Sequence, residues 1–180
     1  KKIADTETPQ GIIAVCEMRS KRLDDFLASG KMLLVLDRVT DPGNIGTMLR
    51  TADAAGVGGL LLLQGCADIY APKTVRASMG SLFHLPVLSG LSEELLVQAA
   101  HKAGYELLVT CLDGADNLYK ADLQGRIAFV MGNEANGVSP ALLAAADKRV
   151  FIPMQGRAES LNVAMAAGIV MFEALRQKLK

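Results

Sequence analysis

Cysteine is scarce and odd in number: Cys16, Cys66 and Cys111 are the only three in 180 residues. They are widely separated and contain no Cys-x-x-Cys pair, which argues against a disulfide framework and a zinc site. Their expected role is as small core residues. Histidine is scarcer still, with two, leaving little capacity for metal binding or imidazole acid–base chemistry; no metal is expected. No sign of charge dominates, since 19 Lys and Arg balance 19 Asp and Glu. That excludes a protein gripping polyanions by bulk charge, but leaves room for a local basic patch. No apolar run approaches the roughly 18–20 residues of a membrane span. Lys1-Lys2-Ile3 is not followed by a signal-type apolar stretch. The chain is expected to be soluble and cytoplasmic, with no membrane partner.

What is present is an ordinary globular composition, 51% hydrophobic and 21% charged, which excludes disorder. The length suits one domain with a core that needs no staples. The first residue is Lys1, and residues 1–10 are polar and turn-like. We expect them to be a linker, with a domain over residues 11–180.

Apolar runs alternate with helical patterns. Strands are expected over residues 11–18, 32–39, 58–63, 84–88, 105–112, 127–131 and 150–153. Helices are expected over 23–28, 47–55, 72–79 and 92–103, and from Ser160, as cap, to the end. The 32–39 run, M-L-L-V-L-D-R-V, reads as a strand buried on both faces. Alternation of this kind implies an α/β fold, a mostly parallel sheet with helices on both faces. Ligands of such sheets sit beyond the carboxyl ends of the strands. Three polar loops occupy those ends: 41–46, 132–137 and 155–160.

In the first, Pro42 and Gly43 are expected to turn the chain. Asn44 can cap the following helix or present its amide to a ligand, and Arg50 follows six residues later. In the second, Gly132 ends a strand where backbone comes close to something, and Asn133, Glu134 and Asn136 follow. An acidic, amide-rich loop could hold an amine or hydroxyls; an Asn-Gly turn followed by a Ser139 cap is the structural alternative. In the third, Pro153 has no amide to donate, and Asn162 is expected in the first turn of the last helix. The small residues Ala164, Ala166, Ala167 and Gly168 permit close approach of another backbone. Met154, Met165 and Met171 read as packing residues.

Together these segments resemble the SpoU/TrmH-like tRNA/rRNA 2′-O-ribose methyltransferases of the SPOUT superfamily. The carriers are D-P-G-N-I-G-T-M-L-R-T-A, M-G-N-E-A-N-G-V-S and I-P-M-Q-G-R-A-E-S-L-N-V-A-M-A-A, in the family's order. The resemblance covers about residues 31–176. It implies a C-terminal deep trefoil knot, a rare exception to unknotted chains. It also implies S-adenosylmethionine as cofactor, S-adenosylhomocysteine as product, tRNA or rRNA as substrate, and a homodimer across the last helix. By the same resemblance, backbone atoms at Gly132, Ile152 and Leu161 hold the cofactor, with Met154 and Ala164 beside them. Asn44, Arg50, Glu134, Ser160 and Asn162 match the polar catalytic positions. Longer relatives carry an upstream RNA-binding domain, and residues 6–12 look like the junction after it.

The chemistry so implied is an in-line displacement in which a ribose hydroxyl must lose its proton. No Asp, His or Lys in the loops is an evident base. Arginine is a poor one, its pKa exceeding about 12. We therefore expect Arg50 to bind the adjacent RNA phosphate and polarise the hydroxyl, with a phosphate oxygen or water accepting the proton. Glu134 is expected to pair with Arg50 or hold a ribose, and Ser160 and Asn162 to orient the acceptor or the loop. Competing readings are a SPOUT base methyltransferase, which needs a carboxylate near its target nitrogen, and a non-catalytic RNA-binding relative. A nucleotide-dependent oxidoreductase is disfavoured, because Gly56-Val57-Gly58-Gly59 follows a helix and completes no G-x-G-x-x-G.

Overall fold

The computed structural model describes residues 11–18, 21–111 and 114–179. The expected linker, residues 1–10, lies outside them. Seven strands form one sheet in the order β3-β2-β1-β6-β4-β7-β5. These are β1 Leu33–Leu36, β2 Gly59–Leu63, β3 Val87–Leu91, β4 Glu106–Thr110, β5 Asp116–Asn117, β6 Ile127–Met131 and β7 Lys148–Phe151. Every registered pairing is parallel.

β1 (L-L-V-L), β2 (G-L-L-L-L) and β6 (I-A-F-V-M) are buried at every position, as central strands covered on both faces must be. The twofold strand period sends alternate side chains to two cores. Leu34, Leu36, Leu60, Leu62, Phe129 and Met131 meet α2 (Pro42–Ala54) and α6 (Val163–Lys178). Leu33, Val35, Leu61, Leu63, Ala128 and Val130 meet α1 (Leu23–Ala28), α4 (Glu93–Lys102) and α5 (Pro140–Ala145). α3 (Pro72–Ala77) lies on α2. A Cβ at Gly46 would come within 2.6 Å of both Ala77 Cβ and the Thr74 carbonyl oxygen, so the two helices touch there only because Gly46 has none. α6 crosses α2 where Gly168 faces Thr51.

Several expectations are corrected. Residues 11–18 form no strand. Ile12, Ile13, Val15 and Met18 are exposed; an apolar run alone does not say whether a segment joins the ladder, and both edges of β1 are taken by β2 and β6. α2 starts at Pro42, not Thr47. Asp41 caps it by accepting the Gly43 amide at 3.0 Å, and proline, which has no amide to leave unpaired, suits the first helical position. β3 begins at Val87, because residues 81–83 form a 3-10 turn and Pro86 cannot donate to a ladder. α6 is capped by Asn162, not Ser160. α5 and β5 were not expected; they are six and two residues long, too short to show a period. Of the cysteines, Cys16 is exposed and Cys66 and Cys111 are half-buried. Burial raises the Cys66 thiol pKa, and its Sγ donates to the Leu36 carbonyl at 3.3 Å.

Candidate functional site

The three polar loops leave the carboxyl ends of β1, β6 and β7, and side chains join them. Asn44, in the first turn of α2, donates from Nδ2 to Glu134 Oε1 at 2.9 Å. Its Oδ1 accepts from Asn162 Nδ2 at 3.0 Å. Asn162 Oδ1 in turn caps α6, accepting the amides of Ala164 (2.9 Å) and Met165 (3.3 Å). Residues 90 and 118 positions apart in sequence thus form one chain of hydrogen bonds. Glu134 and Asn162 are exposed and Asn44 is half-buried, so the row faces solvent and is open to a ligand.

Each member is held by its element. Asp41 fixes the start of α2. Its carboxylate pKa lies below the usual value, chiefly through the 2.8 Å ion pair with Lys73 and then through the Gly43 amide. Glu134 sits at the tip of a tight turn closed by two backbone bonds between Asn133 and Gly137, at 3.0 and 2.9 Å. Asn133 Oδ1 accepts the amides of Ala135 and Asn136 within that turn. Gly132 is buried beneath it. A Cβ there would lie 2.2 Å from the Gly137 carbonyl carbon and 2.3 Å from the Val138 nitrogen. The close approach expected at Gly132 is therefore made by the chain's own backbone.

The turn is clamped to the end of β1 by two residues that the sequence reading passed over. Asp37 is fully buried and accepts the Ser139 amide at 2.7 Å. It also takes the Arg38 guanidinium at 2.9 and 3.1 Å, and that hydrogen bonding raises the Arg38 pKa. Arg38 adopts the left-handed conformation, φ 53°, and its carbonyl accepts Asn133 Nδ2 at 2.8 Å. The signal for Asp37 was present: a carboxylate inside the apolar run L-L-V-L-D is costly to bury unless bonded.

Three of the five expected catalytic residues, Asn44, Glu134 and Asn162, are thus brought together. Arg50 lies farther along α2, exposed, with no side-chain hydrogen bond or ion pair among the described residues. The expected Arg50–Glu134 pairing is absent; Glu134 bonds Asn44 instead. Ser160 is exposed and has no hydrogen bond among the described residues. Of the expected cofactor positions, Gly132 and Ala164 are buried, Ile152 and Met154 half-buried, and Leu161 exposed. Residues 155–161 are exposed and make no hydrogen bond among the described residues. Their amides and carbonyls are therefore available to a polar ligand, beside apolar surface from Ile152 and Met154. A cavity of about 660 Å³ lies elsewhere, between α4 and α5, and is lined by none of these residues. Among the described residues, no group of three or more His, Cys, Asp or Glu could hold a metal.

The profile of the SpoU rRNA Methylase family matches residues 31–172, a span that includes all three loops. The chain belongs to this family. It is 40% identical to the 23S rRNA (guanosine(2553)-2'-O)-methyltransferase RlmP of Bacillus subtilis (strain 168), over 94% of this chain and 66% of that protein. It is also 40% identical to the 23S rRNA (uridine(2479)-2'-O)-methyltransferase of Streptomyces viridochromogenes, over 96% of this chain and 62% of that protein. The AdoMet-bound rRNA methyltransferase from Sinorhizobium meliloti superposes with a TM-score of 0.86 at 38% identity, covering 91% of this chain and 63% of the other. The SpoU chain thus spans a little under two thirds of the length of these relatives. Its parallel sheet and flanking helices are those of SpoU methyltransferase structures.

Proposed function

We propose that this SpoU chain is the catalytic domain, over residues 11–180, of an RNA ribose 2′-O-methyltransferase that uses S-adenosylmethionine and acts on ribosomal RNA in the cytoplasm. The observation that carries this reading is the Glu134–Asn44–Asn162 row. It joins the three family segments into one solvent-facing polar surface at the strand ends. Two relatives named as 23S rRNA 2'-O-methyltransferases support the substrate class. A neighbour described as AdoMet-bound supports the cofactor. The deep trefoil knot is part of the proposal and rests on family membership; α6 starting beside the start of α2 is compatible with it.

S-adenosylmethionine supplies the electrophilic methyl group. The free backbone of residues 155–161, with Ile152, Met154 and Leu161, suits its adenosine, and Ala164 lies at the start of α6 nearby. Gly132 contributes by letting the Glu134 turn sit close to β6. Asn44, held between Glu134 and Asn162, orients the ribose, and Ser160, without a hydrogen bond among the described residues, assists from the loop between β7 and α6. Arg50, whose guanidinium has no protein partner among the described residues, binds the phosphate next to the target and polarises the 2′-hydroxyl. A phosphate oxygen or water takes the proton. Positioning of this kind supplies several kcal/mol of the barrier reduction.

The test is transfer of labelled methyl to ribosomal RNA by the full protein, followed by nuclease digestion and mass spectrometry. A 2′-O-methylated nucleoside, lost in Asn44→Ala, is expected. Methyl on a base, or no transfer to any RNA, would overturn the reading.

A further inference from the structure

Residues 69–92 contain no carboxylate, in a chain whose charges cancel over its whole length. Within that stretch, residues 73–84 run along α2 from end to end. Lys73 meets Asp41 at 2.8 Å, Ala77 packs on Gly46, and His84 Nδ1 lies 3.3 Å from Asp53 Oδ2. At about 100° per residue, Gly43, Gly46, Arg50 and Asp53 fall on one stripe of α2. Arg50 therefore emerges along the edge covered by this segment.

The segment is also unusual in what it exposes. Tyr70 is 47%, Phe83 69% and Met79 71% accessible. Met79 is thrown outward by a left-handed backbone, φ 48°. Lys73 and Arg76 are exposed on α3, and the Arg76 side chain has no hydrogen bond or ion pair among the described residues. Two arginines without a side-chain partner among the described residues, Arg50 and Arg76, thus share this side of α2 with one lysine and two exposed aromatic rings.

We propose that residues 70–84 form the wall of the site that grips single-stranded RNA. Arg76, helped by Lys73, binds phosphates flanking the target nucleotide, and Phe83 and Tyr70 stack on unpaired bases. Lys73 is partly neutralised by Asp41, so Arg76 carries the larger share. Stacking on exposed rings needs splayed bases, which single strands present and duplexes do not. The competing occupant is a second copy of the chain. A twofold axis through this patch would bring two cationic surfaces together, whereas RNA supplies the opposite charge.

The inference rests on the proposed function, and the experiment separates the two. Arg76→Gln and Phe83→Ala change exposed side chains and are expected to fold. Binding of a fluorescein-labelled single-stranded oligoribonucleotide is measured by anisotropy over a salt series. Methyl transfer, S-adenosylhomocysteine affinity and sedimentation are measured alongside. Each substitution is expected to weaken RNA about tenfold. Arg76→Gln is expected to lower the slope of log affinity against log salt by about 0.7. Cofactor affinity and oligomeric state are expected to stay unchanged. Unchanged RNA affinity and salt slope in both variants, no RNA binding by the unmodified chain, or a change of oligomeric state would overturn the inference. If ribose methylation itself were wrong, the unmodified chain would methylate no ribose, while the binding comparison would still report on the patch.

Discussion

Asn44 has both ends of its amide engaged, donating to Glu134 and accepting from Asn162, whereas the Arg50 side chain on the same helix has no hydrogen-bond or ion-pair partner among the described residues. The difference suggests how to separate their roles. Arg50→Ala is expected to abolish single-turnover ribose methylation while leaving S-adenosylhomocysteine affinity within a few-fold, because no side chain or backbone group among the described residues bonds its guanidinium. Losing one charge-assisted phosphate contact costs about 1.5–3 kcal/mol in RNA binding; a further fall in rate at saturating RNA measures the polarising role. Arg50→Lys keeps the charge without the planar fork, so a pure phosphate clamp retains substantial activity. A wild-type rate in Arg50→Ala would remove Arg50 from the chemistry. Gly132 calls for a different experiment. Its missing Cβ makes room for the backbone of residues 137–138, so Gly132→Ala forces that turn away and is expected to destabilise the fold by about 1–3 kcal/mol, measured by urea unfolding. Loss of cofactor binding in such a variant reports on the displaced turn together with any backbone contact made at Gly132.

At the level of elements, the strands were the most legible feature. Runs such as L-L-V-L and I-A-F-V-M have no polar face, and only a doubly covered parallel sheet accommodates them. The same logic failed for residues 11–18, where an equally apolar run stays out of the sheet. Helix starts were misplaced because caps compete locally. Asp41-Pro42-Gly43 reads as a turn or as a cap with proline at the first position, and the Gly43 amide settles it by bonding Asp41. Ser160 and Asn162 compete likewise; Asn162 wins, and the same side chain then also reaches Asn44. The polar loops were legible as loops, but not the hydrogen bonds joining them across 90 and 118 residues. No spacing rule encodes such long-range contacts. The cap of α2 yields a pH prediction. Asp41 has its pKa lowered in the folded chain, first by Lys73 and then by the Gly43 amide. Its stabilising contribution is therefore fully present above the usual value of 3.8 and is lost as pH falls through the lower folded-state pKa. Asp41→Asn is expected to show less loss of stability between pH 5 and the acid limit than the parent, by urea unfolding across that range; parallel acid limbs would contradict it.

At the scale of the whole molecule, α6 has two faces to satisfy. The small residues expected to receive a partner are mostly used within the chain. Ala164, Ala167, Val170 and Met171 are buried in its own core, and Gly168 meets Thr51 of α2. What remains outward is a narrower stripe. Met165 and Phe172 are 60% and 47% accessible, with half-buried Ile169 between them. Positions four and three apart share one helix face, so these form a continuous apolar strip next to the start of α6 and hence next to Asn162. A twofold axis through such a strip would pair it with its own copy, without the like-charge conflict of the α3 surface, since the strip carries no charge. A stable interface buries about 1,200–2,000 Å² in total, more than one stripe supplies, so neighbouring surface must contribute as well. We expect the chain to sediment as a dimer at micromolar concentration, at twice 19.1 kDa. Phe172→Glu, which puts a carboxylate into the apolar strip of each copy, is expected to shift it to monomers with an unaltered far-ultraviolet spectrum. Because the strip begins where Asn162 caps α6, loss of the dimer is also expected to weaken S-adenosylhomocysteine binding. A monomer in the unmodified chain, or a Phe172→Glu dimer as tight as the parent, would show that the Met165–Phe172 face is solvent-exposed in the working protein.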